Sequence, residues 1–162
     1  DLISLGYTWT EEKIKSGKYL DSEALREILD PSYTFVVINT DKLPGADTSY
    51  EERTPTGSVK NVIEAEAIAD IVDVVYKSYS KENTTLKPTI ISPYNAQVVE
   101  IKMRLKQRGL PIDDESVITA YKSQGREYPF IIVSLVRRNP WREIGFLEDE
   151  KLRAQVLSLI HI

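Results

Sequence analysis

Apolar positions along the chain fall into short β-branched runs separated by stretches of helical spacing. Residues 34–39 (TFVVIN) are continuously apolar between turn residues, which predicts a strand buried on both faces. Residues 89–92, 116–120 (SVITA) and 130–136 (FIIVSLV) repeat that pattern. Asn61 followed by Glu64 has the spacing of a capping box, with Asn in place of Ser or Thr, and predicts a helix reaching about Tyr79. Its buried face would carry Ile68, Ile71, Val72, Val75 and Tyr79. Ser92 and Pro93 supply the cap and first turn of a second helix over 94–108, with Val98, Ile101 and Leu105 inward and Gly109 as the stop. Nearer the start, Asp21 caps a short helix that turns Ala24, Leu25, Ile28 and Leu29 inward and ends at Asp30-Pro31. Residues 41–57, with two Pro and two Gly, predict a surface loop that is either mobile or functional. The order strand, helix, strand, helix, strand, strand predicts an α/β layered domain with a mostly parallel sheet flanked by helices.

A length of 162 residues suits one domain with appendages. The 21 Lys and Arg against 25 Asp and Glu give a net charge of −4, so any nucleic-acid contact has to be local. Two basic clusters stand out: Lys102, Arg104, Lys106 and Arg108, and then Arg137, Arg138 and Arg142. Each is also what a solvated helix face or strand end looks like. The absence of Cys and a sole His at position 161 exclude disulfides, thiolate chemistry, Cys/His zinc sites and a Ser-His-Asp triad away from the extreme end. No apolar run approaches the ~18 residues of a membrane span, and the first residues lack signal-peptide order. A cytoplasmic or nuclear protein without a membrane partner is the expectation.

In open α/β sheets, ligands sit beyond the carboxyl ends of the strands. After Ser92 come Pro93, Tyr94, Asn95, Ala96 and Gln97, an aromatic ring and two amides at a helix start. After Ala120 comes a polar loop, Lys122-Ser123-Gln124-Gly125-Arg126-Glu127, whose donors suit phosphate oxygens and whose Gly permits close approach. After Val136 come Arg137, Arg138 and Asn139. Each also has an ordinary structural reading: a helix start, a charged hairpin tip and a finished strand. No phosphate loop is present, since the single Gly-Lys pair, Gly17-Lys18, is followed by Tyr19 and has Glu12 where the first Gly should stand. Asp113, Asp114 and Glu115 precede a strand and read as a turn. A nucleotide bound here would find only part of its site.

Together these segments resemble the second motor domain of superfamily 1 helicases, in particular the 1B branch that includes the nonsense-mediated decay and Okazaki-fragment-processing helicases. Ser58-Val59-Lys60-Asn61-Val62-Ile63-Glu64-Ala65 resembles the Ser-x-x-Asn-x-x-Glu-Ala lead into that domain's first long helix. Residues 91–97 resemble motif IV, residues 119–134 motif V, and residues 145–149 the approach to motif VI. The resemblance spans about residues 34–150 and implies a RecA-like domain over 34–162 after a weakly patterned lead-in over 1–33.

By that resemblance the domain closes over ATP with Mg2+ held mainly by a first RecA-like domain, and moves on single-stranded DNA or RNA. Tyr94 would stack on the base. Gln97, Gln124, Gly125, Arg126 and Glu127 would line the nucleotide site. Thr119, Lys122, Arg137 and Asn139 would meet the nucleic acid. The family's arginine finger falls at Leu159, with Lys151 and Ser158 also departing from the motif, and Arg153 is the only nearby substitute. This implies a chain that does not hydrolyse ATP alone, with no complete catalytic set and no metal ligands of its own. The rival expectation is a non-catalytic nucleic-acid or protein-interaction module that keeps the helicase fold.

Overall fold

The structure, a computed structural model, describes residues 2–3, 5–82, 84–151 and 153–154. In chain order its elements are β1 (Thr8–Trp9), α1 (Ser22–Ile28), β2 (Glu52–Arg53), β3 (Val59–Lys60), α2 (Val62–Ser78), β4 (Tyr79–Lys81), β5 (Thr84–Thr85), β6 (Thr89–Ser92), α3 (Asn95–Gln107), β7 (Val117–Thr119) and β8 (Ile131–Val133). Short 3-10 turns lie at Glu11–Lys13, Thr40–Lys42, Ala46–Thr48, Ala120–Ser123 and Gly145–Glu148.

The central sheet has the order β7-β6-β8, and both pairings are parallel, with Ile90 beside Val117 and Ile132. Such a sheet is stable only when covered, and β6 is buried along its whole length. Ala65, Ile68, Ala69 and Val72 of α2 meet Ile90, Val117 and the Ile101 and Leu105 stripe of α3 in one core. This is the covered, parallel α/β arrangement that the alternating pattern predicts, and it is consistent with the RecA-like fold that the resemblance implies.

The lead-in joins a second core. Asp21 caps α1 by accepting the Ala24 N–H at 2.8 Å, and Ile14, Leu20, Leu25 and Leu29 pack on Ala67, Ile71, Val74 and Val75 of α2. β1, β4 and β5 form a small antiparallel sheet at the end of α2. Tyr79 opens β4 and donates from its hydroxyl to the Leu29 carbonyl at 2.6 Å; burial pushes this phenol up to about 12, with the Asp30 charge adding to the shift.

Residues 34–39 correct the sequence expectation, since they are irregular and largely exposed rather than a buried strand. Phe35 and Val37 face solvent, and of the run only Ile38 packs against a core. A β-branched run supplies willingness to pair, but a strand also needs a neighbour for its N–H and C=O groups. Among the described residues β8 is an edge of its sheet, and this run does not pair with it.

The basic cluster on α3 also has a resolved role. Arg104 bonds Glu66 at 2.8 Å and Glu100 at 2.6 Å, while Arg108 bonds Glu66 at 2.8 Å and Asp70 at 2.6 Å. Asp70 additionally accepts the backbone N–H groups of Lys18, Tyr19 and Leu20 at 2.7–3.0 Å. Burial alone would raise the Asp70 carboxyl, but these N–H groups and Arg108 hold it below the usual aspartate range. Gly17 is required there, because a Cβ would run into the Asp70 carboxylate. The Gly-Lys pair is therefore part of a packing joint between the lead-in and α2.

Candidate nucleotide and nucleic-acid site

Because β6, β7 and β8 run parallel, the loops after them leave from one rim of the sheet, with the motif IV loop in the middle. The three polar segments singled out in the sequence thus share an edge of the molecule.

A buried polar knot sets the geometry of that rim. Ser58 accepts the Ala96 N–H at 3.1 Å and so caps α3. Asn61 caps α2 by accepting the Glu64 N–H at 3.1 Å. Gln97 is fully buried; its carbonyl accepts the Asn61 N–H at 2.7 Å, and its amide donates to the Asn61 carbonyl and the Ser134 hydroxyl. Glu64 does not return to the Asn61 N–H as a reciprocal capping box would. Its carboxylate accepts the Val136 N–H at 3.0 Å, while the Asn61 side chain donates to the Val136 carbonyl at 3.2 Å. Burial pushes the Glu64 carboxyl up, against the opposing hydrogen bonds from Ser134, Val136 and Leu135. Val136 is gripped on both backbone groups and holds φ 70°, a conformation that β-branched residues seldom adopt.

That turn aims Arg137 back into the protein. Arg137 lies 3.0 Å from Glu51, with side-chain exposures of 8% and 5%, and donates to the Tyr94 hydroxyl at 3.4 Å. Tyr94 is 4% exposed and packs with Val59 and Val136. Gly145 crosses directly over the pair, since a Cβ there would collide with the Arg137 guanidinium and the Tyr94 hydroxyl.

The predicted nucleotide residues therefore divide. Tyr94 and Gln97 are inside the protein, the first beneath Gly145 and the second spent on the Asn61 backbone and the Ser134 hydroxyl. Gln124, Gly125, Arg126 and Glu127 are all exposed. Gly125 has φ 74° with open space around its Cα, a backbone that a phosphate could approach closely. Arg126 instead pairs with Glu115, on the turn leading into β7, so its guanidinium is held toward the opposite end of that strand. Of the residues expected to meet nucleic acid, Thr119 ends β7 and Lys122 is exposed on the following turn. Arg137 and Asn139 are engaged by the protein itself. Asn139 closes the 139–143 turn, donating to the Glu143 carbonyl at 2.8 Å and accepting the Glu143 N–H at 2.9 Å. Arg153 lies 3.9 Å from Glu150, while positions 158 and 159 fall outside the described residues. Among the described residues no group of three or more His, Cys, Asp or Glu is placed to hold a metal ion, and no helix is long and apolar enough to cross a membrane.

Sequence reasoning missed Ser58, Asn61 and Glu64 as builders of the rim and Glu51 as the partner of Arg137. The Ser-x-x-Asn-x-x-Glu pattern was the available signal, because each of its polar residues carries one of these bonds.

Comparison with known families decides the assignment. The family model described as AAA domain, AAA_12, matches residues 7–156. The chain belongs to this AAA domain family of superfamily 1 helicases. The AAA domain described here is 47% identical over 62 residues to DNA polymerase alpha-associated DNA helicase A of Schizosaccharomyces pombe, covering 38% of this chain and 9% of that protein. Its counterpart in Saccharomyces cerevisiae is 37% identical over 101 residues, 62% of this chain and 14% of the relative. The human DNA replication ATP-dependent helicase/nuclease DNA2 is 30% identical over 138 residues, 85% of this chain and 12% of that protein. The chain thus spans 9–14% of the length of these relatives.

Proposed function

We propose that this AAA domain is the second motor domain of an ATP-dependent superfamily 1 helicase, closing on a first RecA-like domain and moving along single-stranded nucleic acid. The observation that carries this reading is the shared rim: three parallel strands deliver the motif IV, motif V and Arg137 segments to one edge, in a chain whose family is that of helicases. The names of the relatives favour DNA over RNA as the track.

ATP held between two such domains would supply the phosphoanhydride bond whose cleavage drives opening and closing. On this side, the open backbone at Gly125 and the Lys122 ammonium would meet phosphate, with Glu127 beside them. Thr119 and Lys122 would carry contact to the nucleic-acid backbone, a grip that does not depend on sequence. Tyr94 would reach a base only after the Gly145 segment moves off it. Since no phosphate loop stands in this sequence, the chain alone should not turn over ATP.

The covering of Tyr94 also favours a second reading, a binding module that keeps the fold without cycling ATP. The two part on nucleotide affinity. Joined to a first RecA-like motor domain, this chain should tighten binding of a fluorescent ATP analogue relative to that domain alone, and Glu127→Ala should weaken it by about tenfold. Equal affinity with and without this domain would establish the binding module.

A further inference from the structure

The 139–143 turn displays an indole in a way that packing does not explain. Trp141 is 76% exposed, although a Trp side chain gains more from burial than almost any other. The turn that carries it is firmly built. Pro140 fixes one backbone angle, the Arg142 N–H donates to the Asn139 carbonyl at 3.3 Å, and the Asn139 amide bonds both backbone groups of Glu143. Behind it, Glu51 anchors the turn: its N–H donates to the Arg138 carbonyl at 2.9 Å, and its carboxylate accepts the Arg138 N–H at 2.8 Å and an Asn139 amide hydrogen at 3.3 Å. The backbone that carries the ring is thus ordered before any ligand arrives.

Cations flank the ring on both sides in sequence. Its neighbours Pro140 and Arg142, with Asp41, Tyr50, Arg138 and Glu143, line a cleft to which the indole itself does not contribute. Arg142 is exposed, and among the described residues no carboxylate pairs with it. Arg138 stacks over the Tyr50 ring at 5.6 Å and bonds Asp41 at 2.9 Å. The two arginine pairs at this turn differ in kind. Arg137 and Glu51 are both buried, so separating them would leave an uncompensated charge inside. Asp41 is 66% exposed against 18% for Arg138, which also donates to the Ser49 carbonyl, so Asp41 is the partner of Arg138 that another anion can displace from the solvent side. A phosphate arriving in the cleft can therefore take Arg138 from Asp41 but not Arg137 from Glu51.

We propose that Trp141 and the guanidinium groups of Arg138 and Arg142 form a site for single-stranded nucleic acid, with a base stacked on the indole and the adjoining phosphates on the two arginines. The site rests on the helicase reading for its ligand class, and it replaces Arg137 and Asn139 as the nucleic-acid contacts of this turn. A ring that stacks any base and arginines that hold any phosphate give the sequence-tolerant grip seen for single strands.

The test uses this chain and an oligothymidylate, read by quenching of tryptophan emission and by fluorescence anisotropy of a labelled strand. Binding should quench emission in the wild type. Trp141→Phe should lose that quenching while binding within about threefold, and Trp141→Ala should bind about tenfold more weakly. Arg138→Ala and Arg142→Ala should each lower the slope of log K against log salt by about 0.7, and Asp41→Asn should tighten binding several-fold. Unquenched emission in the wild type, or a Trp141→Ala chain that folds and binds as the wild type does, would overturn the site. The motor reading fails separately: quenching at Trp141 without any nucleic-acid-stimulated ATPase in the two-domain protein sinks the motor and leaves the site. Stimulation that Trp141→Ala does not alter, with unquenched emission, does the reverse.

Discussion

The Glu64 carboxylate accepts the Val136 N–H at 3.0 Å and holds that β-branched residue at φ 70°. The bond spans 72 residues and links the start of α2 to the turn that sends Arg137 under Gly145. Removing the acceptor by Glu64→Ala leaves a buried N–H unpaired and should cost about 1–3 kcal/mol in chemical denaturation. Glu64→Gln, which keeps an acceptor oxygen, should cost far less. The pH dependence has a definite sign. Burial raises the Glu64 carboxyl, so the folded chain holds a proton that the unfolded chain has lost. Stability should fall as pH rises from the ordinary glutamate range through that raised value, and this fall should be missing in Glu64→Gln.

Val136 also sets two known quantities against each other. Val136→Gly would relieve roughly 1–2 kcal/mol of left-handed strain, but it would forfeit the burial of a side chain worth about 1.5–3 kcal/mol. The net change should lie between a gain of about 0.5 and a loss of about 2 kcal/mol, below that of an ordinary buried Val→Gly. A loss above about 3 kcal/mol would show that the turn is not strained.

Asp70 behaves oppositely to Glu64. Its carboxyl lies below the usual range despite burial, because three backbone N–H groups and Arg108 favour its charged form. Its contribution is complete above the ordinary aspartate value and is lost as pH falls through the lowered one. Glu66 and Glu100, also lowered by their partners in the same network, lose theirs on the same side. Asp70→Ala should destabilise by about 3–5 kcal/mol, since it strands Arg108 against Glu66 alone and frees the lead-in backbone. Amide exchange at residues 18–20 should rise in step, and unchanged protection there would refute the joint.

Gly145→Ala should open the cover over Tyr94. The added methyl meets both Arg137 and the Tyr94 hydroxyl at a residue with φ 57°, so destabilisation of about 1–2 kcal/mol is expected. Faster amide exchange at residues 94–97 than elsewhere in α3 would mark the local opening. Uniform exchange across the helix would contradict the lid.

Much of the frame was legible because period reports burial. The strand at Thr89–Ser92, both long helices and the Asp21 and Asn61 caps follow from local patterns that the fold does not override. What escaped depends on distant partners. Residues 34–39 have strand composition without a neighbour, which no local window reveals. β1, β4 and β5 are two or three residues long, too short to establish a period. The α3 arginines looked like a solvated face, yet Glu66 and Asp70 on α2 and Arg104 and Arg108 on α3 share the same four-residue spacing, a signal that the two helices pair through those charges. At the rim, the motif residues could be named from sequence, but whether each faces out was set by long-range bonds. Gly125 stays open, while Gln97 and Arg137 are spent on Asn61, Ser134 and Glu51.

The central claim is that this rim is half of a motor. Its most direct test is the rate of ATP hydrolysis by a two-domain protein, this chain joined to a first RecA-like motor domain, across a titration of single-stranded DNA. The account predicts negligible turnover by this chain alone, DNA-stimulated turnover by the joined protein, and loss of that stimulation in Glu127→Ala. Turnover in the joined protein that is indifferent both to DNA and to Glu127→Ala would contradict it.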